Sequence, residues 1–236
     1  MIIMISPAKT FKESAISFDQ IPYFINESNE LNKKLKVLNQ RTIIKKMKVS
    51  EKLAQQIYDD YQHFGNHQSA AIFSYDGYQY KNLNIESIYP LYQSNIKNHL
   101  YIISGLYGLL NAFDDISKYR LEIKDKTIGN LYDFWKPKIL DYIQSKFKDE
   151  TIINLCSNEY GQIIKDLKQT ITIDFYKRKN NQLSIHSMEV KRLRGLYTKS
   201  LLINPNQDLT MMNIDNYLYN HNLSDQNHMV FIKEAN

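Results

Sequence analysis

The stretch "MIIMISPAKT" (residues 1–10) sets five apolar residues, Met1 to Ile5, directly against Ser6-Pro7-Ala8-Lys9. A short continuous apolar run bounded by turn residues suits a buried strand. Its abrupt end is the informative part. Ser6 can cap a following turn, Pro7 fixes the exit of the chain, and Lys9 falls at the strand's carboxyl end, where mixed sheets often place their sites. A lysine that follows five apolar residues and a proline is hard to leave wholly solvated, so Lys9 is expected within reach of a carboxylate.

Further strands are expected at "AAIFSY" (70–75), "LYIIS" (100–104), "TIINL" (151–155), "TITIDFY" (170–176), "QLSIHS" (182–187) and "MVFIK" (229–233), from β-branched and aromatic enrichment or alternation. Helical spacing is read over 27–39, 42–48, 51–63, 85–97, 131–147, 189–203 and 213–220. In "LYDFWKPKILDYIQSKF" the residues Leu131, Phe134, Trp135, Ile139, Tyr142 and Ile143 share one apolar face, and Pro137 is expected to mark that helix's first turn. No internal repeat, low-complexity tract or linker interrupts the chain. The expectation is a mixed α/β (α+β) fold, with residues 1–236 forming a single domain in which a mixed sheet is surrounded by helices.

The composition is globular: of 236 residues, 43% are hydrophobic and 12% aromatic, with only 7 Gly and 5 Pro. The initial apolar run lacks a preceding basic residue and is too short for a signal peptide, and no later run approaches a membrane span. The single cysteine, Cys156, permits no internal disulfide. A cytoplasmic protein with no membrane partner is expected.

The modest net charge of +5 is unevenly placed. Residues 33–52 contain Lys33, Lys34, Lys36, Arg41, Lys45, Lys46, Lys48 and Lys52 against Glu51 alone, and residues 177–199 contain Lys177, Arg178, Lys179, Lys191, Arg192, Arg194 and Lys199 against Glu189 alone. The rest of the chain is net acidic. Such concentration suits a polyanion partner, although lysine-rich solvated helix faces produce the same pattern. Within "KKMKVSEKLAQQIYDDY" (45–61), a short helix ending near Lys48 and a second capped by Ser50 would form a hairpin with backbone N–H groups at a helix start, where phosphate is welcome. This resembles a helix-hairpin-helix DNA-binding element. It departs from one in having no glycine at the turn and in carrying Glu51, which repels phosphate.

The blocks "ISPAKT" (5–10), "ISGLYGLL" (103–110), "YRLEI" (119–123), "LYDFW" (131–135), "INLCSNEY" (153–160) and "KRLRGL" (191–196) occur in an order and spacing that resemble the YaaA family of peroxide stress proteins. The resemblance implies a mixed fold with a positively charged cleft, binding of double-stranded DNA, and a role in limiting DNA damage and free iron under hydrogen peroxide. Lys45, Lys46, Lys48, Ser50 and Lys52 would hold phosphates on the first surface, and Lys191, Arg192 and Arg194 would line a second. The blocks also add Ser104, Tyr107, Tyr119, Asn154, Ser157 and Tyr160, together with Lys9, Arg120, Glu122, Asp133 and Glu159. The last five are the candidate catalytic residues of a competing reading, an enzyme acting on a nucleobase or nucleotide. In a third arrangement the acids simply pair with Lys9, Arg120 and Arg194 in buried networks.

Other chemistry has less support. His63 and His67 are four apart but separated by Gly65-Asn66, so no helical metal pair is assured, and no metal or cofactor is called for. Gly105 and Gly108 lack both the third glycine of a dinucleotide fingerprint and the ending of a P-loop, and read instead as turn or close-packing residues. Cys156 reads as a buried small residue at a strand end.

Overall fold

The computed structural model describes residues 1–184 and 186–234. The chain opens with β1 (Ile2–Ile5) and passes through three helices, α1 (Ile25–Lys36), α2 (Gln40–Met47) and α3 (Glu51–Gln62). The short strand β2 (Ser69–Ala70), α4 (Ala71–Ser74), α5 (Tyr78–Leu83) and α6 (Tyr89–His99) lead to β3 (Leu100–Ser104), β4 (Gly108–Asn111) and β5 (Asp115–Ile116). Helix α7 (Leu131–Lys146) then returns the chain to β6 (Ile152–Leu155), followed by α8 (Asn158–Gly161), β7 (Thr170–Lys179) and β8 (Gln182–Ser184). The remaining fifth of the chain comprises α9 (Ser187–Ile203), β9 (Asn213–Ile214), β10 (Tyr217–Tyr219) and β11 (His228–Glu234).

The main sheet runs β4-β3-β1-β6-β7-β11-β10-β9, with β8 paired to β7. Strands β3, β1, β6, β7 and β11 are mutually parallel, and β4, β8, β9 and β10 join antiparallel. Strand β1 sits between β3 and β6, with Ile3 opposite both Leu100 and Ile153. Covered on both faces, β1 admits no polar side chain: Ile3, Met4 and Ile5 are fully buried. Each contributes on the order of 2–3 kcal/mol of burial. From β1 the chain goes to β3 on one side and later to β6 on the other, so the strand order changes direction there and a crevice opens beyond the carboxyl ends.

Of the fourteen expected elements, ten appear with boundaries shifted by a few residues, and four differ in kind or extent. The 70–75 segment supplies only Ala70 to the two-residue strand β2 and then forms one buried helical turn, closed by Ser74 Oγ donating to Ala70 O (2.8 Å). Residues 213–220, expected as helix, form the β9–β10 hairpin, because Asp215 and Asn216 both take positive φ (54° and 65°). Two successive left-handed residues make the hairpin turn whose twist matches paired strands, and Asp and Asn tolerate that geometry. The 182–187 strand stops at Ser184; Ile185 lies outside the described residues and Ser187 already belongs to α9. The helix over 131–147 continues through Pro137, which therefore lies in its interior rather than its first turn. Region 85–97 divides into a 3-10 turn at Ile85–Ser87 and α6, which is non-helical at Tyr92.

The helical hairpin is present as α2 and α3. Lys48 takes the left-handed conformation (φ 53°) that a glycine usually fills, and Ser50 Oγ accepts the Leu53 N–H (3.4 Å) at the start of α3. It thus departs from the glycine-containing turn of a helix-hairpin-helix element.

Two glycines fix close approaches. Gly108 (φ 70°) lies under Trp135, where a β-carbon would meet Cζ3 at 2.5 Å. On α9, a β-carbon at Gly195 would sit 2.3 Å from Gln79 O and 2.8 Å from Leu83 N, both α5 backbone atoms. Gly195→Ala is therefore expected to force α5 and α9 apart and lower stability by about 1–3 kcal/mol in urea unfolding.

The turn after β4 buries Asp114, which accepts from Gln20 Nε2 (2.7 Å) and the Asn111 N–H (2.8 Å). Burial pushes its carboxyl up to about 7, against these two hydrogen bonds, which lower it. With a folded value above the unfolded value near 4, Asp114 binds its proton more tightly in the native state. Its contribution is complete below about pH 4 and lost as pH rises through 7. Unfolding free energy measured at pH 5 and pH 8 should thus fall by a few kcal/mol in the wild type, with a visibly smaller fall in Asp114→Asn.

Candidate functional site

The carboxyl ends of β1 and β6 are joined directly. The Ser157 N–H donates to Ser6 Oγ (2.8 Å), and Ser6 Oγ lies 3.3 Å from Ser157 Oγ. Tyr80 Oη, from α5, donates to Ser6 O (2.8 Å). The residues that end the first strand are therefore held from two sides, and Ser6 through Thr10 form one wall of an open cleft of about 750 Å3.

The segment 117–124 makes the opposite wall. A chain of tyrosines positions it: Tyr119 Oη lies 2.7 Å from both Tyr75 Oη and Ser104 Oγ, Tyr107 Oη accepts the Ser117 N–H (2.9 Å), and Tyr61 Oη donates to Arg120 O. Burial pushes the Tyr119 phenol up to about 12, and Tyr75 and Tyr80 also rise well above the ordinary tyrosine value because they are buried. These phenols stay protonated and serve as fixed hydrogen-bonding posts. Gly105, whose β-carbon would strike Leu121 O at 2.3 Å, lets this wall close on β3, while Trp135 Nε1 donates to Gly105 O (2.8 Å).

Four of the five candidate catalytic residues meet in this cleft: Lys9, Arg120, Glu122 and Glu159 all line it. Lys9 Nζ is 2.7 Å from Glu122 Oε1, and Arg120 Nη1 donates to Lys9 O (3.1 Å). Lys124 pairs with Glu159. Asp133 is elsewhere. It accepts from Asn130 Nδ2 (2.6 Å) at the start of α7 and lines no part of the cleft. Lys9 is also more open than its sequence context suggests: its side chain is 56% exposed, so its ion pair is worth under about 1 kcal/mol.

The second basic window divides. Lys191 and Arg194 line the cleft, whereas Arg192 turns away to Glu189 (2.9 Å) and Asp215. Arg194 is 8% exposed, and among the described residues it has no ion pair; its Nε is buried without any acceptor. Burial pulls its guanidinium below the ordinary arginine value, yet that value is so high that it remains a cation. A buried charged donor without a partner costs more than the roughly 1–3 kcal/mol of a neutral one. Gln79, 7% exposed and in the same cleft, likewise has a buried Nε2 without an acceptor. The contact at Gly195 presses α5 against α9 beside both residues.

The first basic window lies outside the cleft, on the ends of α1, α2 and α3. Lys46 Nζ donates to Thr127 O (2.9 Å) and Lys34 pairs with Glu30 (3.1 Å). Lys33, Lys36, Arg41, Lys45, Lys48 and Lys52 are exposed and, among the described residues, have neither an ion pair nor a side-chain hydrogen bond. The two surfaces touch through α3, since Tyr61 holds the backbone of Arg120.

Gln79, Tyr78, Asp174 and Tyr176 also line the cleft, and sequence reasoning passed over them. The first two lie on α5, a six-residue helix too short for its period to register. Asp174 and Tyr176 lie where β7 runs on past its last β6 partner, Thr172 opposite Asn154, so the overhanging strand becomes a wall. Cys156 is buried immediately after β6, and burial pushes its thiol up to about 12, which leaves it inert. No helix among the described residues is long and apolar enough to cross a membrane.

Residues 1–223 match the family model described as peroxide stress protein YaaA. A UPF0246 protein of Clostridioides difficile (strain 630) is 36% identical over 251 residues, covering 99% of this chain and 100% of that protein. UPF0246 proteins of Finegoldia magna and Rickettsia africae are 36% and 34% identical, with 99% of this chain covered in each case and 98% and 100% of theirs. With a matching model over nearly its whole length and relatives that share one-third of its residues end to end, this chain belongs to the peroxide stress protein YaaA family.

Proposed function

We propose that the protein acts in the peroxide stress response by binding duplex DNA largely without sequence specificity, in the cytoplasm, and so helps to limit DNA damage and free iron. The observation that carries this reading is the set of six exposed cations at Lys33, Lys36, Arg41, Lys45, Lys48 and Lys52, none committed to a carboxylate among the described residues. Lys34, on the same surface, is paired with Glu30 at i,i+4 and is set apart from these six. A set left unpaired is available to phosphates, and neutralising them releases counterions. The family's role in peroxide stress agrees with a DNA partner. The α3 N-terminus contributes little, because Ser50 already occupies it.

A second reading, a small-molecule or nucleotide ligand in the cleft, is favoured by the convergence of Lys9, Arg120, Glu122 and Glu159 at the carboxyl ends of parallel strands. Lys9 lines the cleft with its side chain open to solvent, so on this second reading its replacement is expected to separate stability from function. Lys9→Met should change the unfolding free energy by less than about 1 kcal/mol while lowering peroxide survival of cells that depend on the protein. A large loss of stability would instead make Lys9 a structural residue.

For the DNA surface, fluorescence anisotropy across a salt series with a 20-base-pair duplex of arbitrary sequence measures affinity and salt slope. Lys45→Ala, Lys48→Gly and Lys52→Ala together should lower the slope by roughly one unit per lost phosphate contact. Lys48→Gly should at the same time stabilise the fold by about 1 kcal/mol by relieving the left-handed lysine. Undiminished binding in the triple variant would remove the hairpin as the DNA grip.

A further inference from the structure

We infer that the cleft beyond β1 and β6 is a nucleotide site in which Arg194 and Gln79 receive the phosphate, with Lys191 at the rim and the rings of Tyr78 and Tyr176 beside the base. The inference deepens the second reading above and does not depend on DNA binding by the hairpin.

The first argument is an imbalance of donors. Arg194 Nε and Gln79 Nε2 are both buried, both lack an acceptor among the described residues, and both belong to residues of the same cleft. Native proteins rarely leave such groups unpaired, and an exception within a cavity points to what the cavity takes up. Two unmatched donors, one of them a cation, ask for an anionic acceptor with several oxygens. The protein's own acids are already engaged: Glu122 with Lys9, Glu159 with Lys124, and Asp174 with His228 Nε2 (2.9 Å). Arg120, Lys191 and Arg194 remain as cations without a carboxylate partner among the described residues.

The second argument is size and lining. A bare phosphate or carboxylate would fill only a small part of about 750 Å3, a volume in the range of sites for drug-sized molecules. Five tyrosines line the cleft, of which Tyr80, Tyr119 and Tyr160 are buried posts, while Tyr78 is 40% exposed and Tyr176 half-buried. Open aromatic faces next to an anion subsite fit a planar base joined to a phosphate. Ser6 and Ser157 add hydroxyls at the strand ends, where ligands of parallel sheets bind.

Gly195 gives the arrangement its rigidity. By bringing the α9 backbone against Gln79 O, it sets the two unmatched donors on touching helices rather than on loops. The phosphate-bearing ligand has two possible sources with one chemistry, a free nucleoside monophosphate or the 5′-phosphorylated end of a DNA strand.

The test uses the full chain and isothermal titration with AMP, GMP, CMP and TMP, inorganic phosphate and adenosine, beside 5′-phosphorylated and 5′-hydroxyl single-stranded decamers. At least one monophosphate is expected to bind about tenfold or more tightly than either inorganic phosphate or adenosine. A preference of that size for the phosphorylated decamer, with no binding of free monophosphates, would identify the DNA end as the source and equally support the site. Arg194→Met is expected to weaken binding by about tenfold or more without lowering the melting temperature, since it removes a buried charge that has no partner. Should Arg194→Met fail to fold, the exposed Lys191→Ala serves instead, with a loss of about threefold or more expected. The variant carrying Lys45→Ala, Lys48→Gly and Lys52→Ala should bind mononucleotides as the wild type does, so failure of the hairpin reading and failure of this one are told apart. Absence of binding in both ligand series, or full affinity in the Arg194 or Lys191 variant, overturns the assignment.

Discussion

Burial of β1 between β3 and β6 is the constraint on which the rest of the structure depends. Ile3, Met4 and Ile5 are sealed on both faces and both edges, so the first place where the chain can carry chemistry is the strand's carboxyl end. There Ser6 ties β1 to Ser157 beyond β6, and Tyr80 clamps the same residue from α5. The site is therefore not an addition to the core. It is the end of the core's central strand, and any movement of β1 within the sheet would move Ser6 to Thr10 with it.

Electrostatically, the molecule keeps its charges in three conditions. At the rim of the cleft, Lys9 with Glu122 and Lys124 with Glu159 are solvent-screened pairs that contribute little to stability but hold the side chains in place. On α1, α2 and α3 most cations are exposed to water and have no partner among the described residues. Arg194 is different: it is a cation, 8% exposed on the wall of the cleft, and among the described residues it has no carboxylate partner. Unmatched burial of this kind is tolerated where a site trades stability for a ligand.

Tyrosine is the scaffold of the cleft walls. Tyr61, Tyr75, Tyr80, Tyr107, Tyr119 and Tyr160 place hydroxyls against main-chain atoms or one another, holding segment 117–124 and the end of β1 in position. Each supplies a large apolar ring to the core together with one polar tip, so a loop rich in backbone groups can be buried without leaving them unsatisfied. Because α3 supplies Tyr61, the basic hairpin and the cleft share a wall.

What the sequence by itself determined is what short range decides: the β1, β3 and β6 strands from their apolar runs, helices α1 to α3, α7 and α9 from their period and caps, and the placing of Lys9 at a strand end. The failures were also local in cause. Asp215-Asn216 carried the hairpin signal that an apolar spacing obscured, and Ala70 to Tyr75 was as compatible with one buried turn as with a strand. Which charges meet was decided only in the tertiary structure. Glu122 and Lys9 are neighbours while Asp133, in an equally suggestive block, is not; Arg192 finds two acids and Arg194, two residues away, finds none among the described residues. That difference rests on the 100° between successive helix positions and on a glycine pressed against α5, so it arises from long-range packing that no local pattern encodes.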